Sequence, residues 1–356
     1  MAGRRRFLAG LMATGLCPQL TWADAGSPRY LAAARKPSGQ YALFGLDASG
    51  VRVFELALPD RGHAAAAHPA RPVAVAFARR PGTFAVVIDC ALGREIARLT
   101  APEGHHFSGH GSFSAAGDLL FTAENDYEAG RGMVGVWDAR RGYARLASFP
   151  SGGTGPHDLL CLPDGRTLLV ANGGIETHPE TGRAKLNLPS MRPNLSYLTL
   201  EGALLEQVGP PAAWHKNSLR HLAVRGDGLV AVAAQWQGDL AQTPPLLATH
   251  RRGAALQFHK AGETHERDMQ GYAGSIAFSG SGDAIAITGP RGGVGLIFSA
   301  SGRLETTVQE PDICGVAAAA DGFAFTSGLG LFRAGRPAQP EIVRHRVAWD
   351  NHLIQI

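Results

Sequence analysis

Cysteine is scarce in this chain: Cys17, Cys90, Cys161 and Cys314 are all there is. No two have the CxxC or CxxCH spacing, which excludes a thioredoxin-type site and covalently attached haem. Nucleophile and phosphate signatures are missing too. There is no GxSxG, no HExxH and no Walker sequence, and the "RGGVG" after Arg291 falls in a strand-to-strand turn. After residue 25 no long segment repeats with a 3.6-residue period, and no run of about 18 apolar residues offers a membrane span. Positive charge is scattered. The net charge of +4 contains three arginines from the first six residues, so nucleic-acid binding has no electrostatic basis.

What is present begins with a targeting segment. "GRRRFLAGLMATGL" sets Arg4, Arg5 and Arg6 ahead of Phe7, Leu8 and an apolar stretch, and Ala23-Asp24-Ala25 is a small-residue cleavage site. This reads as a twin-arginine signal over residues 1–25, with Arg4-Arg5 as the pair, and predicts export to the periplasm. Cys17 follows Leu16 and lacks the small residue that lipid attachment wants before its cysteine. Cleavage removes three arginines and Asp24, lowering the net charge to about +2. It leaves three cysteines, an odd number, expected as buried free thiols.

The rest is a repeat. An apolar strand, a tight Gly/Asp turn and a second apolar strand recur in "HAAAAHPARPVAVAFA" from His63 and in "HGSFSAAGDLLFTAEND" from His110. They recur again from Asp158, His221, Ser275 and Gly315, each followed by further strands. The starts lie 47, 48, 63, 54 and 40 residues apart, the length of a four-stranded propeller blade. Six blades are thereby accounted for. "RYLAAARK", "QYALFGLD" and "VRVFELAL" near the N-terminus and "NHLIQI" at the end remain, and three strands plus one make a seventh. The predicted fold is therefore all-β: a seven-bladed, WD40/YVTN-like β-propeller over residues 26–356, its last blade closed by the C-terminal strand. The long spacing contains an insert, residues 172–194, "NGGIETHPETGRAKLNLPSMRPN". It projects from the third of these repeats over one channel mouth, where a lid would lie.

Aligning the repeats on their turn glycines puts His110, Asp158, His221, Ser275 and Gly315 in one register, with His63 and His352 beside them. Gly109, His157, Arg220 and Asn351 stand one residue earlier. Because inner strands converge at the mouth, these residues form a rough ring. Imidazoles and carboxylates converging on an axis suit a transition metal such as iron, copper or zinc, with His110, His157 and His221 as the first ligands to consider. They also suit a bound anion, with Arg220 and Arg291 as donors, or a water-filled polar funnel. "AENDYEAGRG" brings Glu124, Asn125 and Asp126 to the same face, for cation binding or acid–base work, or simply as turn caps. In the insert Asn172, Glu176, His178, Arg183, Lys185 and Arg192 are balanced in charge, which predicts internal pairing within an ordered loop.

"GHG.FS..G.LL.TAENDYEAGRG", "GPHDLL.LPDGRTLLVANGGIETHPETGRAKLNL..MRPNL.YL", "SLRHLAV" and "GS.AFS..G...A.T.PRGG" together resemble the domain of unknown function 1513 family of bacterial exported proteins. The resemblance covers essentially the whole chain after the leader, and the "ANGGIETHPETGRAKLNL" run makes it specific. It implies a propeller-like fold without an assigned activity. It also implies periplasmic iron or haem handling, because such proteins are often encoded beside imelysin-like and dihaem-oxidase-like proteins. One departure is Asp158, where the family commonly has Glu after the His of "GPH". Three functions stay open. The first is a non-catalytic periplasmic propeller binding a small ligand or a protein for metal acquisition. The second is an enzyme or carrier with a metal at the channel mouth, and the third is a docking scaffold.

Overall fold

Why the repeats become blades follows from their composition. Runs such as Val73–Ala78 and Thr167–Asn172 are apolar or nearly so and are buried at every position, so they need cover on both faces. The outermost runs, such as Arg94–Thr100, are largely polar and exposed. Stacking four-stranded sheets radially satisfies both. In the computed structural model, which describes residues 19–79, 82, 84–182 and 184–356, the strands form seven four-stranded antiparallel sheets. The innermost strands are Gly62–Ala67, His105–Phe113, Pro156–Cys161, Asn217–Val224, Ser275–Phe278, Ile313–Ala318 and Ala348–Gln355.

Ala348–Gln355 pairs antiparallel with Tyr30–Arg35, so the C-terminal strand is the inner strand of the first blade, as its leftover position predicts. The ring therefore has no open edge. Apolar clusters fill the spaces between neighbouring blades; one joins Phe77, Phe107 and Phe113 to Trp137. Close approach explains Gly111: a Cβ there would sit 2.3 Å from Cζ of Phe77 in the neighbouring blade.

Among the described residues one short α-helix, Glu263–Asp268, interrupts the strands, and no helix is long and apolar enough to cross a membrane. Cys90 and Cys314 are buried and Cys161 is half-buried, all unpaired. Burial pushes the Cys90 and Cys314 thiols up to about 12. The arginines of the leader, its apolar stretch, Cys17 and Arg183 lie outside the described residues. Trp22–Ala25, which overlaps the expected cleavage motif, forms a 3-10 turn, and Trp22 Nε1 donates to His68 O at 2.9 Å.

Candidate metal centre

Six of the seven innermost strands break register at the same level. The slips fall between Gly62 and Ala65, Phe107 and Gly111, Pro156 and Asp158, Leu219 and His221, Ile313 and Val316, and opposite Ala32 and Ala34 on the closing strand. A bulge re-aims the side chains beside it. Here it turns a histidine toward the axis from five blades. Gly109 is part of this device: its φ is +97°, and a Cβ would lie 2.7 Å from Cδ2 of His63.

His63, His110, His157, His221 and His352 thus meet on the channel axis, contacting ring centroids 4.7–6.1 Å apart. In two triads, His63/His110/His157 and His110/His221/His352, the nitrogens able to bind a metal lie within 4.8 Å of one another. His110 belongs to both. Two carboxylates stand behind the cluster. Asp350 Oδ1 is 3.3 Å from Nδ1 of His63, and Asp158 Oδ1 is 3.3 Å from Nδ1 of His110. Such partners fix the tautomer and leave Nε2 with its lone pair for a metal. Asp158 is itself held by the N–H groups of Leu159 and Leu222, and Asp350 by Arg61 Nε at 2.6 Å and the N–H of Asn351.

Burial holds His63, His157, His221 and His352 below the ordinary histidine range. In His157 the neighbouring Arg220 adds to the effect, and in His221 and His352 the other imidazoles do. These four rings are neutral near pH 7, the form that binds metals. Burial also pushes the Asp350 carboxyl upward, but His63 and Arg61 outweigh it and bring it down to about 2.

The five rings are not equivalent. His157 Nδ1 accepts from Arg220 Nη1 at 3.0 Å. By contrast, Nε2 of His110, Nε2 of His352 and both ring nitrogens of His221 are buried without a hydrogen-bond partner among the described residues. Buried polar atoms are rarely left so, and a metal ion is one of the few things that explains several together. The strongest set is therefore His110, His221 and His352. The sequence named all five histidines but placed His157 one residue out of register with His110 and His221. The bulge at each position removes that difference.

Several other nominated residues stand elsewhere. Glu124 is fully buried inside its blade, not at the axis: Arg145 grips it with Nη1 and Nη2, each at 2.8 Å, and Thr122 Oγ1 donates to it at 2.7 Å. Glu124→Ala is expected to destabilise the fold by about 3 kcal/mol, because it strands a guanidinium beside Trp137. Urea denaturation measures this, and a change under about 0.5 kcal/mol contradicts the assignment. Asp126 caps its turn. Burial raises its pKa, but the Ala129 N–H and Arg131 outweigh that and lower it. Asn172 clamps Ser151, Asn194 and Ser196. Arg192 is exposed, and exposed Arg291 lies over the Tyr272 ring at 4.5 Å.

Asn125 does reach the channel mouth, where its amide nitrogen lies 3.4 Å from Thr177 O. The insert roofs that mouth, with Ile175 and Thr177 facing inward. It straps three blades together. His178 packs edge-on against Tyr127 on one side, and Lys185 Nζ donates to Gln237 Oε1 on the other. Among its described residues His178 pairs with Glu180 at 3.9 Å, and an asparagine clamp adds to the order. The Asn187 amide accepts from Glu176 N at 2.8 Å and donates to Gly174 O at 2.9 Å. Exposed ion pairs contribute little, whereas an amide clamp satisfies backbone groups directly. Half-buried Glu176 lies against Gly130. The sequence reading missed Asp350, Arg61 and Arg79. Their signal was faint: Arg61 and Asp350 stand two residues before His63 and His352, but no residue type recurs there in the other blades.

The family model described as Protein of unknown function (DUF1513) matches residues 56–356. The chain belongs to this family. No curated protein matches it. Among solved structures, Kuenenia stuttgartiensis hydrazine synthase superposes with a TM-score of 0.62 at 15% identity, covering 94% of this DUF1513 chain and 99% of the other. At that identity the likeness concerns the propeller fold alone.

Proposed function

We propose that this protein is an exported β-propeller that binds a transition metal on its channel axis, as a carrier or metal-centre protein of a periplasmic metal-acquisition system. The observation that carries the reading is a coincidence. The three histidines whose nitrogens approach most completely without competing partners, His110, His221 and His352, also form one of the two close-packed triads. An all-imidazole set favours copper or zinc over ferric iron, which prefers oxygen ligands. His63, whose Nδ1 faces Asp350, flanks the set and is available to complete it, whereas His157 is engaged by Arg220. Export rests on the Arg4-Arg5 leader, and a role in metal handling agrees with what the family resemblance implies.

The test is metal titration of the chelator-treated, untagged protein, with plasma mass spectrometry on the protein as isolated. One equivalent of copper or zinc per chain, at a dissociation constant of roughly micromolar or below, is expected for three or more imidazoles. Less than about a tenth of an equivalent with either metal would leave the ring as a polar funnel and overturn the proposal.

A further inference from the structure

Beside the imidazole cluster, under the insert, lies a chamber of about 170 Å³. His63, His157 and His221 form its floor. A second cavity of about 240 Å³ also meets the cluster, lined by His110, His221, His352 and Asp158 together with apolar groups such as Leu222 and Val316. The histidines therefore divide the axial space in two, and Asp158 lines only the second part.

The polar chamber is rich in donors. Its wall includes Arg79, Arg220, Asn125, Gln235, Tyr272 and Asn351, and no Asp or Glu. The acidic groups of the region are engaged behind it. Asp350 faces Arg61 and His63 and lies 3.9 Å from Nη1 of Arg79, Asp158 faces His110 and the Leu222 N–H, and Asp126 faces Arg131. Asp312, which feels Arg61 and Asp350, is likewise outside the wall. Two donors are set in place by their neighbours. Arg220 is steered by Nδ1 of His157, and Tyr272 Oη accepts from Asn351 Nδ2 at 3.1 Å, which leaves its own proton to donate. Exposed Arg291, stacked over Tyr272, adds positive charge at the rim.

Guanidiniums in a small, roofed cavity with no carboxylate on its wall favour a compact negative ligand. We infer that this chamber is a binding site for a small oxyanion, a carboxylate or an inorganic oxyanion such as phosphate, held by Arg79 and Arg220. The insert roof, through Ile175 and Thr177, restricts it to ligands of a few heavy atoms. The inference goes beyond the metal reading and does not require it, although a cation on the imidazoles strengthens the attraction.

The test is calorimetric titration of oxalate and, separately, of inorganic phosphate into the full chain, metal-free and zinc-treated, with zinc content measured alongside. One anion per chain is expected. Its affinity should fall roughly tenfold or more in Arg79→Gln and in Arg220→Gln, each checked for native near-ultraviolet circular dichroism. Preference for oxalate assigns a carboxylate ligand, and preference for phosphate an inorganic one. No binding of either anion at millimolar concentration, or unchanged affinity in both folded variants, overturns the inference. Oxalate bound only with zinc and indifferent to both arginines is chelation by the metal; that result also overturns the chamber and leaves the metal reading standing. Arginine-dependent binding in a protein that takes up no zinc does the reverse.

Discussion

His110→Ala is expected to weaken metal binding more than any other single histidine replacement. Its ring is the one shared by both triads and touches the other four histidines. Removing it leaves neither triad complete, whereas His63→Ala or His157→Ala spares His110/His221/His352. Structural zinc sites are worth about 10–16 kcal/mol over four ligands, so one ligand carries roughly 3 kcal/mol, a loss of about a hundredfold or more in affinity. Asp158→Asn should cost less, about ten- to a hundredfold, because it disturbs the tautomer and aim of His110 without removing a ligand. His215→Ala, outside the cluster, is the control. Competition titration with a chromogenic chelator separates these cases. Equal affinity in His110→Ala and wild type would sink the assignment of His110 as the hub. In the metal-free protein His110→Ala also removes the Nδ1 contact to buried Asp158, so native near-ultraviolet circular dichroism is checked before affinities are compared.

How much of this was legible beforehand differs between fold and site. The seven blades could be read because turn glycines and fully apolar inner runs recur at blade length, and because three unmatched strands at one end and one at the other demand closure. The five histidines could be found by the same register. Their convergence could be expected only as a rough ring; the close approach that makes two triads depends on bulges, which the repeat pattern does not show. Glu124 shows the opposite failure. A carboxylate beside Asn125 and Asp126 in a polar loop looks like site chemistry, yet strand alternation sends Glu124 into the blade while Asn125 turns to the mouth. Nothing near Glu124 in the chain points to Arg145, two strands away. Asp350 was hidden for a related reason: its partners Arg61 and His63 lie on another blade, almost the whole chain away. The insert was legible as a lid by its place and length. The Asn187 clamp, one asparagine among many polar residues, was not.

Acid is expected to unfold the metal-free protein in a window set by the cluster. Burial lowers the pKa values of His63, His157, His221 and His352, so the native state keeps these rings neutral while an unfolded chain protonates them near pH 6.5. Below that value the unfolded state holds more protons than the native one, and stability must fall as pH falls. Each ring can remove up to about 1.4 kcal/mol per pH unit, so the four together can remove about 5 kcal/mol between pH 7.5 and 5.5. His68, lowered to about 4 by burial and by Arg71, steepens the same slope, as do the half-buried His259 and His345. Asp350 acts in another range. Its stabilising contribution is present above the unfolded carboxylate value and is lost only as pH falls from about 4 toward its own value of about 2. Urea denaturation of chelator-treated protein at pH 7.5, 6.5 and 5.5 measures the slope. A variant carrying His157→Gln, His221→Gln and His352→Gln should show a much flatter profile, because glutamine cannot take up the proton. A wild-type midpoint that stays constant across this range would mean that the cluster already carries protons in the folded state, and so is not the neutral imidazole set that a metal requires.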